Sequence, residues 1–173
     1  MQYEILPEEL AMIRASQRHG RAHDVTTVLF HQQEVVCIAK PRFPPNVFRI
    51  PGGGLNPGEG MADGARREAE EETGLRFEPR RYLLRVAARF TCAAEFLDWT
   101  THVVSGPVDR LPLAPIDRHE IAEARWLTWE ELLGPVATRM ITSARPLFAY
   151  RVALHQAIYP LVAKIDPTMS GGQ

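Results

Sequence analysis

The stretch from Gly52 to Leu75, GGGLNPGEGMADGARREAEEETGL, leaves the chain a narrow choice of local structure. Consecutive glycines followed by Asn56, Pro57 and Gly58 require a turn-rich backbone. The run from Ala62 then reads as a helix that stops at Gly74, the residue expected in the left-handed conformation past a helix C-terminus. Each helical residue turns the chain by ~100°. Glu68, Glu71 and Glu72 therefore share an arc of ~100°, and Glu70 points to the far side. Ala62, Ala65 and Ala69 form a stripe of small residues suited to close packing on a sheet. Carboxylates in a last turn oppose the helix dipole, at roughly 0.3–1 kcal/mol each when exposed. The pairs Arg66–Glu70 and Arg67–Glu71 return only about 0.2–0.5 kcal/mol apiece. Stability does not recommend the segment.

Clustered carboxylates repel one another until one protonates or all share a cation. Hard oxygen ligands select Mg²⁺, Mn²⁺ or Ca²⁺, and Mg²⁺ commonly completes its shell from substrate phosphates. The residues thus point to a surface that holds a polyphosphate through divalent ions. Glu72 has Glu68 rather than a cation four residues before it, so removing its charge is expected to relieve repulsion in the metal-free fold.

The 173 residues suggest one domain spanning 1–173, with 166–173 a frayed tail. The net charge of −1 gives no general attraction to nucleic acid or anionic membranes. Cys37 and Cys92 lie in apolar runs without a CxxC partner, as expected of free thiols in a cytoplasmic protein. The N-terminus lacks the pattern of a leader, and no apolar run approaches the ~20 residues of a membrane span. A first helix should end at Gly20, and DVTTVLF and VVCIAK read as strands joined by HQQE. A short strand is expected over Val47–Ile50, then long strands in RYLLRVAARFTC and FLDWTTHVVSG. AEARWLTWEELLG reads as strand then helix. A last helix should start near Pro146, stop at Pro160, and face the core with Leu147, Tyr150, Leu154 and Ile158.

The segment resembles the Nudix box, G-x5-E-x7-R-E-U-x-E-E-x-G-U with U aliphatic. Gly53, Glu59, Arg67, Glu68, Glu71, Glu72, Gly74 and Leu75 fill its positions, with Ala69 a small version of the first U. VFRIPGGG before it and EIAEARWLTWEEL after it are similar to the family too. The resemblance implies an α/β/α sandwich around a central mixed sheet and a pyrophosphohydrolase using Mg²⁺ or Mn²⁺. It implies Glu68, Glu71, Glu72 and the Gly52 carbonyl as metal ligands, with Glu68 also a candidate for activating water. Arg67 would hold the carboxylates and Glu59 would brace the loop. Glu120 or Glu123 would be an extra carboxylate from a nearby loop, Glu120 being favoured because it precedes the strand. A phosphate-side cation is expected among Lys40, Arg42 and Arg49, just before the glycines.

The implied partner is a small nucleoside diphosphate derivative, handled by a monomer or homodimer. Two alternatives stand beside it: an inactive nucleotide-binding module, which an intact box disfavours, and an isoprenoid-diphosphate isomerase, for which neither cysteine is well placed. The family's substrate-marking proline or tyrosine past the box is absent: the window reads Phe90, Thr91, Cys92, Ala93. Trp126 and Trp129 read as packing residues, and Trp99 could stack on a base. The histidines show no zinc-binding spacing.

Overall fold

Apolar residues facing both sides of a sheet, with small residues on the acidic helix, call for a layered architecture. The structure, a computed structural model, describes residues 1–18, 21 and 23–165. The strands are β1 (Gln2–Glu4), β2 (His23–His31), β3 (Glu34–Ala39), β4 (Gly52–Gly54), β5 (Arg81–Cys92), β6 (Glu95–Pro107) and β7 (Glu123–Thr128). They form a mixed sheet in the order β1-β5-β6-β2-β3-β7, with β4 pairing β2. Parallel pairing joins β1 to β5 and β2 to β6, and the remaining pairs are antiparallel.

The helix α2 (Met61–Thr73) lies on one face, where Ala65 and Ala69 bury completely against Val25, Leu29 and Val36. Ala62 is exposed, so the small-residue stripe is shorter than the sequence suggested. Gly74 caps the helix in the left-handed conformation at φ 75°, its N–H donating to the Glu70 carbonyl. The other face carries the larger core. Into it α5 (Leu147–Ile165) sends Tyr150, Leu154 and Ile158, with Leu147 at its margin, as the spacing predicts. The helix α1 (Pro7–Arg18) adds Leu10 and Ile13 to this core. Between β7 and α5 run α3 (Trp129–Glu131), a π-helical turn at Leu132–Val136 and α4 (Ala137–Thr142). Pro135, which has no N–H to donate, sits inside that wide turn.

Two expectations are corrected, and one strand had no expectation. Val47–Ile50 is not a strand: only an isolated bridge pairs Ile38 with Arg49, and the paired residues are the glycines beyond it. Pro160 does not stop the last helix, which continues to Ile165 because the following turn still buries Val162. The edge strand β1 had no clear signal in three residues; it is held by register with Arg89–Thr91. The proposed stop at Gly20 and the tail 166–173 lie outside the described residues. No helix among the described residues is long and apolar enough to cross a membrane.

Candidate active site

The glycine strand sets the site's geometry. Gly52 has φ +145°, and a Cβ there would lie 2.1 Å from the Val25 carbonyl oxygen. A Cβ on Gly53 would lie 2.3 Å from Glu68 Oε2. Gly52 needs glycine because β2 backbone fills the space, whereas a side chain at Gly53 would push the Glu68 carboxylate aside. The backbone itself then becomes part of the site.

Arg67 is the hub of the carboxylates. Its Nε and Nη2 each donate to Glu59 at 2.8 Å, and Nη1 donates to Glu68 at 2.7 Å and Glu71 at 3.1 Å. Nη2 also reaches the Gly54 carbonyl at 3.1 Å. Glu59 in turn accepts the Asn56 N–H at 2.9 Å, which closes the loop before α2. The Arg67 hydrogen bonds, foremost, pull the Glu59 carboxyl down to about 2. Arg66 pairs with Asp63 and Glu78 rather than with Glu70, which is exposed on the far side.

Glu72 points the other way and is buried. Its Oε2 accepts the Gly52 N–H at 2.6 Å, and its Oε1 accepts from Arg49 at 3.2 Å. Arg49 also donates to the carbonyls of Ile50 and Gly52, each at 2.9 Å. Arg49, one of the expected phosphate-side cations, thus faces Glu72 and two backbone carbonyls. Arg49 is only 5% exposed. Lys40 stands 3.7 Å from Glu72 Oε1 and donates to Glu120 at 2.7 Å. Arg42 is exposed, on the loop before the glycines.

The loop bearing Glu120 is fastened to the C-terminal end of α2. The N–H groups of Ile116 and Asp117 donate to the Glu71 carbonyl, and that of Ala114 to Thr73. Asp117 Oδ1 accepts the N–H of both His119 and Glu120, an Asx turn legible in DRHE. Glu120 thus comes to the site through Lys40, whereas Glu123 pairs with Arg125 along β7.

Glu68, Glu71 and Glu72 are brought to one region without converging on a point. Among the described residues, no group of three or more His, Cys, Asp or Glu side chains is arranged as it stands to hold a metal ion. Guanidinium groups and the Gly52 N–H engage both oxygens of Glu72 and one each of Glu68 and Glu71. The donor set still fits a hard divalent cation: every candidate ligand atom is oxygen. Burial pushes the Glu68 carboxyl up, the nearby charge of Glu72 adds to this, and Arg67 offsets only part. A cation there would relieve that strain.

The sequence does not single out His155, whose only local signal is a place beside an apolar stripe. It is buried under the segment leading into β4, and its Nε2 accepts the Ile50 N–H at 3.4 Å. Trp99 and Trp129 are buried in the α5-side core, which removes Trp99 as an open stacking surface.

The NUDIX domain model matches residues 20–150. The chain belongs to the Nudix family. It thereby carries the domain of a class of pyrophosphohydrolases, hydrolases that generally use divalent metals. A curated relative, the NAD-capped RNA hydrolase NUDT12 of Macaca fascicularis, is 30% identical over 143 residues, covering 82% of this chain and 29% of the relative. The chain therefore spans less than a third of that protein's length. A NUDIX hydrolase from Nitrosomonas europaea has the same fold, with a TM-score of 0.57 at 24% identity over 79% of this chain and 89% of the other. A Caenorhabditis elegans Ap4A hydrolase binary complex superposes with a TM-score of 0.56 at 15% identity, covering 83% and 98%.

Proposed function

We propose that this Nudix domain hydrolyses a diphosphate bond in a small nucleoside diphosphate derivative, with Mg²⁺ or Mn²⁺ as its cofactor. The observation that carries the reading is the complete acidic face of α2 set against a glycine strand. There Gly53 leaves room for the Glu68 carboxylate and nothing more. Glu68, Glu71, Glu72 and the Gly52 carbonyl would hold the ion. Bound there, the ion would neutralise charge on the phosphates and lower the pKa of water. The chain's own part is to orient. Arg67 sets the direction of Glu68 and Glu71, and Arg49 ties Glu72 to the Gly52 carbonyl. Glu68, its proton affinity raised by burial, is suited to take a proton from the attacking water. Glu120 is the extra carboxylate, and Lys40 the cation best placed for phosphate oxygens.

The similar proteins, an NAD-capped RNA hydrolase and an Ap4A hydrolase, favour substrates in which a nucleotide is joined to a second moiety. The test is a panel of nucleotide-sugars, dinucleoside polyphosphates, nucleoside triphosphates and coenzyme A, ranked by kcat/KM. Cleavage should vanish on chelation and return with Mg²⁺ or Mn²⁺ but not with monovalent salt. Glu68→Gln and Glu71→Gln should each lower kcat roughly a hundredfold or more, with Glu70→Gln close to the parent. Full activity after exhaustive chelation, or no cleavage of any class with metal present, defeats the reading.

A further inference from the structure

The cations around Glu72 are unequally tethered. Arg49 is buried and donates to two carbonyls as well as to Glu72, so it has no freedom to leave. Arg67, on the neighbouring carboxylates, is locked by a bidentate pair with Glu59. Lys40 differs. Its side chain is 30% exposed, sits 3.7 Å from Glu72 beyond hydrogen-bond reach, and makes its close contact to Glu120, itself 64% exposed. Exposed lysine pairs of this kind are weak, and the flexible stem of lysine allows exchange between partners.

The topology places the three groups together. The β3–β7 ladder ends at Ala39 and Glu123, and just past it the Ala122 N–H donates to the Ala39 carbonyl. On the other side Ile38 bridges to Arg49. Lys40, the next residue of the chain, is therefore held between the Glu120 loop and the Arg49–Glu72 pair.

We propose that Lys40 is an exchangeable counter-ion, shared by Glu72 and Glu120, that a divalent cation displaces and that then binds substrate phosphate. This rests on the metal-dependent reading given above. A divalent ion on Glu72 repels the ammonium at this distance. Once displaced, Lys40 takes phosphate oxygens as its new partners, and Glu120 is left free at the rim. Metal loading and phosphate capture are thereby coupled through one side chain.

The experiment uses the full chain, with Mn²⁺ alone and then inorganic pyrophosphate as probes. Mn²⁺ affinity is measured by calorimetry and by electron paramagnetic resonance for the parent, Lys40→Gln and Arg42→Gln. Arg42 carries the same charge on the same loop without the contact to Glu72, so it controls for the general field. Lys40→Gln should bind Mn²⁺ about three- to tenfold tighter and, at saturating Mn²⁺, bind pyrophosphate about tenfold more weakly. Arg42→Gln should change Mn²⁺ affinity by less than about twofold. Unchanged Mn²⁺ affinity in Lys40→Gln, or a gain matched by Arg42→Gln, overturns the exchange. A parent that binds no Mn²⁺ overturns the underlying metal reading and this inference with it.

Discussion

Glu72 shows how one carboxylate's surroundings reverse a conclusion drawn from its neighbours in sequence. With Glu68 four residues before it, removing its charge should ease repulsion. In the fold Glu72 instead balances the buried guanidinium of Arg49 and accepts the Gly52 N–H. Breaking a buried ion pair strands the remaining charge. In chelator, Glu72→Gln should therefore lose about 2–4 kcal/mol of unfolding free energy, the amide keeping one acceptor. The strained member is Glu68, whose carboxyl is pushed up by burial and by Glu72. Glu68→Gln in chelator should match the parent or exceed it by up to ~1 kcal/mol. Urea unfolding of the two variants checks the pair of signs. An unperturbed Glu72→Gln would mean that Arg49 finds its counter-charge elsewhere.

The last helix carries a defect that its packing overrides. Pro160 lies inside α5 and is exposed, and it cannot donate an N–H to the carbonyl of Gln156. Proline in a helix interior costs up to ~3 kcal/mol relative to alanine, less where the freed carbonyl meets water. The turn beyond persists because it keeps Val162 wholly buried against the core. Pro160→Ala should accordingly raise unfolding free energy by about 1–3 kcal/mol without loss of activity, seen as a higher Tm. A lower Tm would show that the proline directs the helix end. The helix α2 is the counterpart: the loop brace at Glu59 and the Gly74 cap hold its two ends although its last-turn carboxylates oppose the helix dipole.

Across the molecule, α5 is coupled to the active-site backbone by His155, whose Nε2 holds the Ile50 N–H 105 residues away in sequence. Burial, foremost, and the charges of Arg151 and Arg49 pull its pKa from 6.5 down to about 3. Above pH ~6.5 the ring is neutral in both folded and unfolded chains and contributes no pH dependence. Between pH ~6.5 and ~3 the unfolded chain takes up a proton that the folded one refuses, so stability falls as pH falls. From pH 7 to 5 the parent should lose about 2 kcal/mol more than His155→Gln, whose amide oxygen can still accept from Ile50. The window lies above the range in which Glu59, held near 2, begins to matter, and Glu68 acts with the opposite sign. Equal losses in the two proteins would show that the histidine is charged in the fold.

Local chemistry alone determined the glycine turn, the helix with its acidic face, the Gly74 cap, the long strands and the stripe of α5. Each of these depends on a period or a conformational preference that neighbouring residues carry by themselves. The family was legible because its motif lies within 23 residues, and that resemblance implied Arg67 holding the carboxylates and Glu59 bracing the loop; their direct pairing came from the fold. What the tertiary structure decided involves partners far apart in the chain. Arg49 is a candidate phosphate-side cation by sequence, and the bridge to Ile38 and the fold of β4 enclose it as a buried clamp. Lys40 and Glu120 read as separate candidates, and the end of the β3–β7 ladder makes them partners. His155 looks like any helical histidine until the sheet places Ile50 against it. Charge and hydrogen-bond energies depend on distance and burial, and packing sets both.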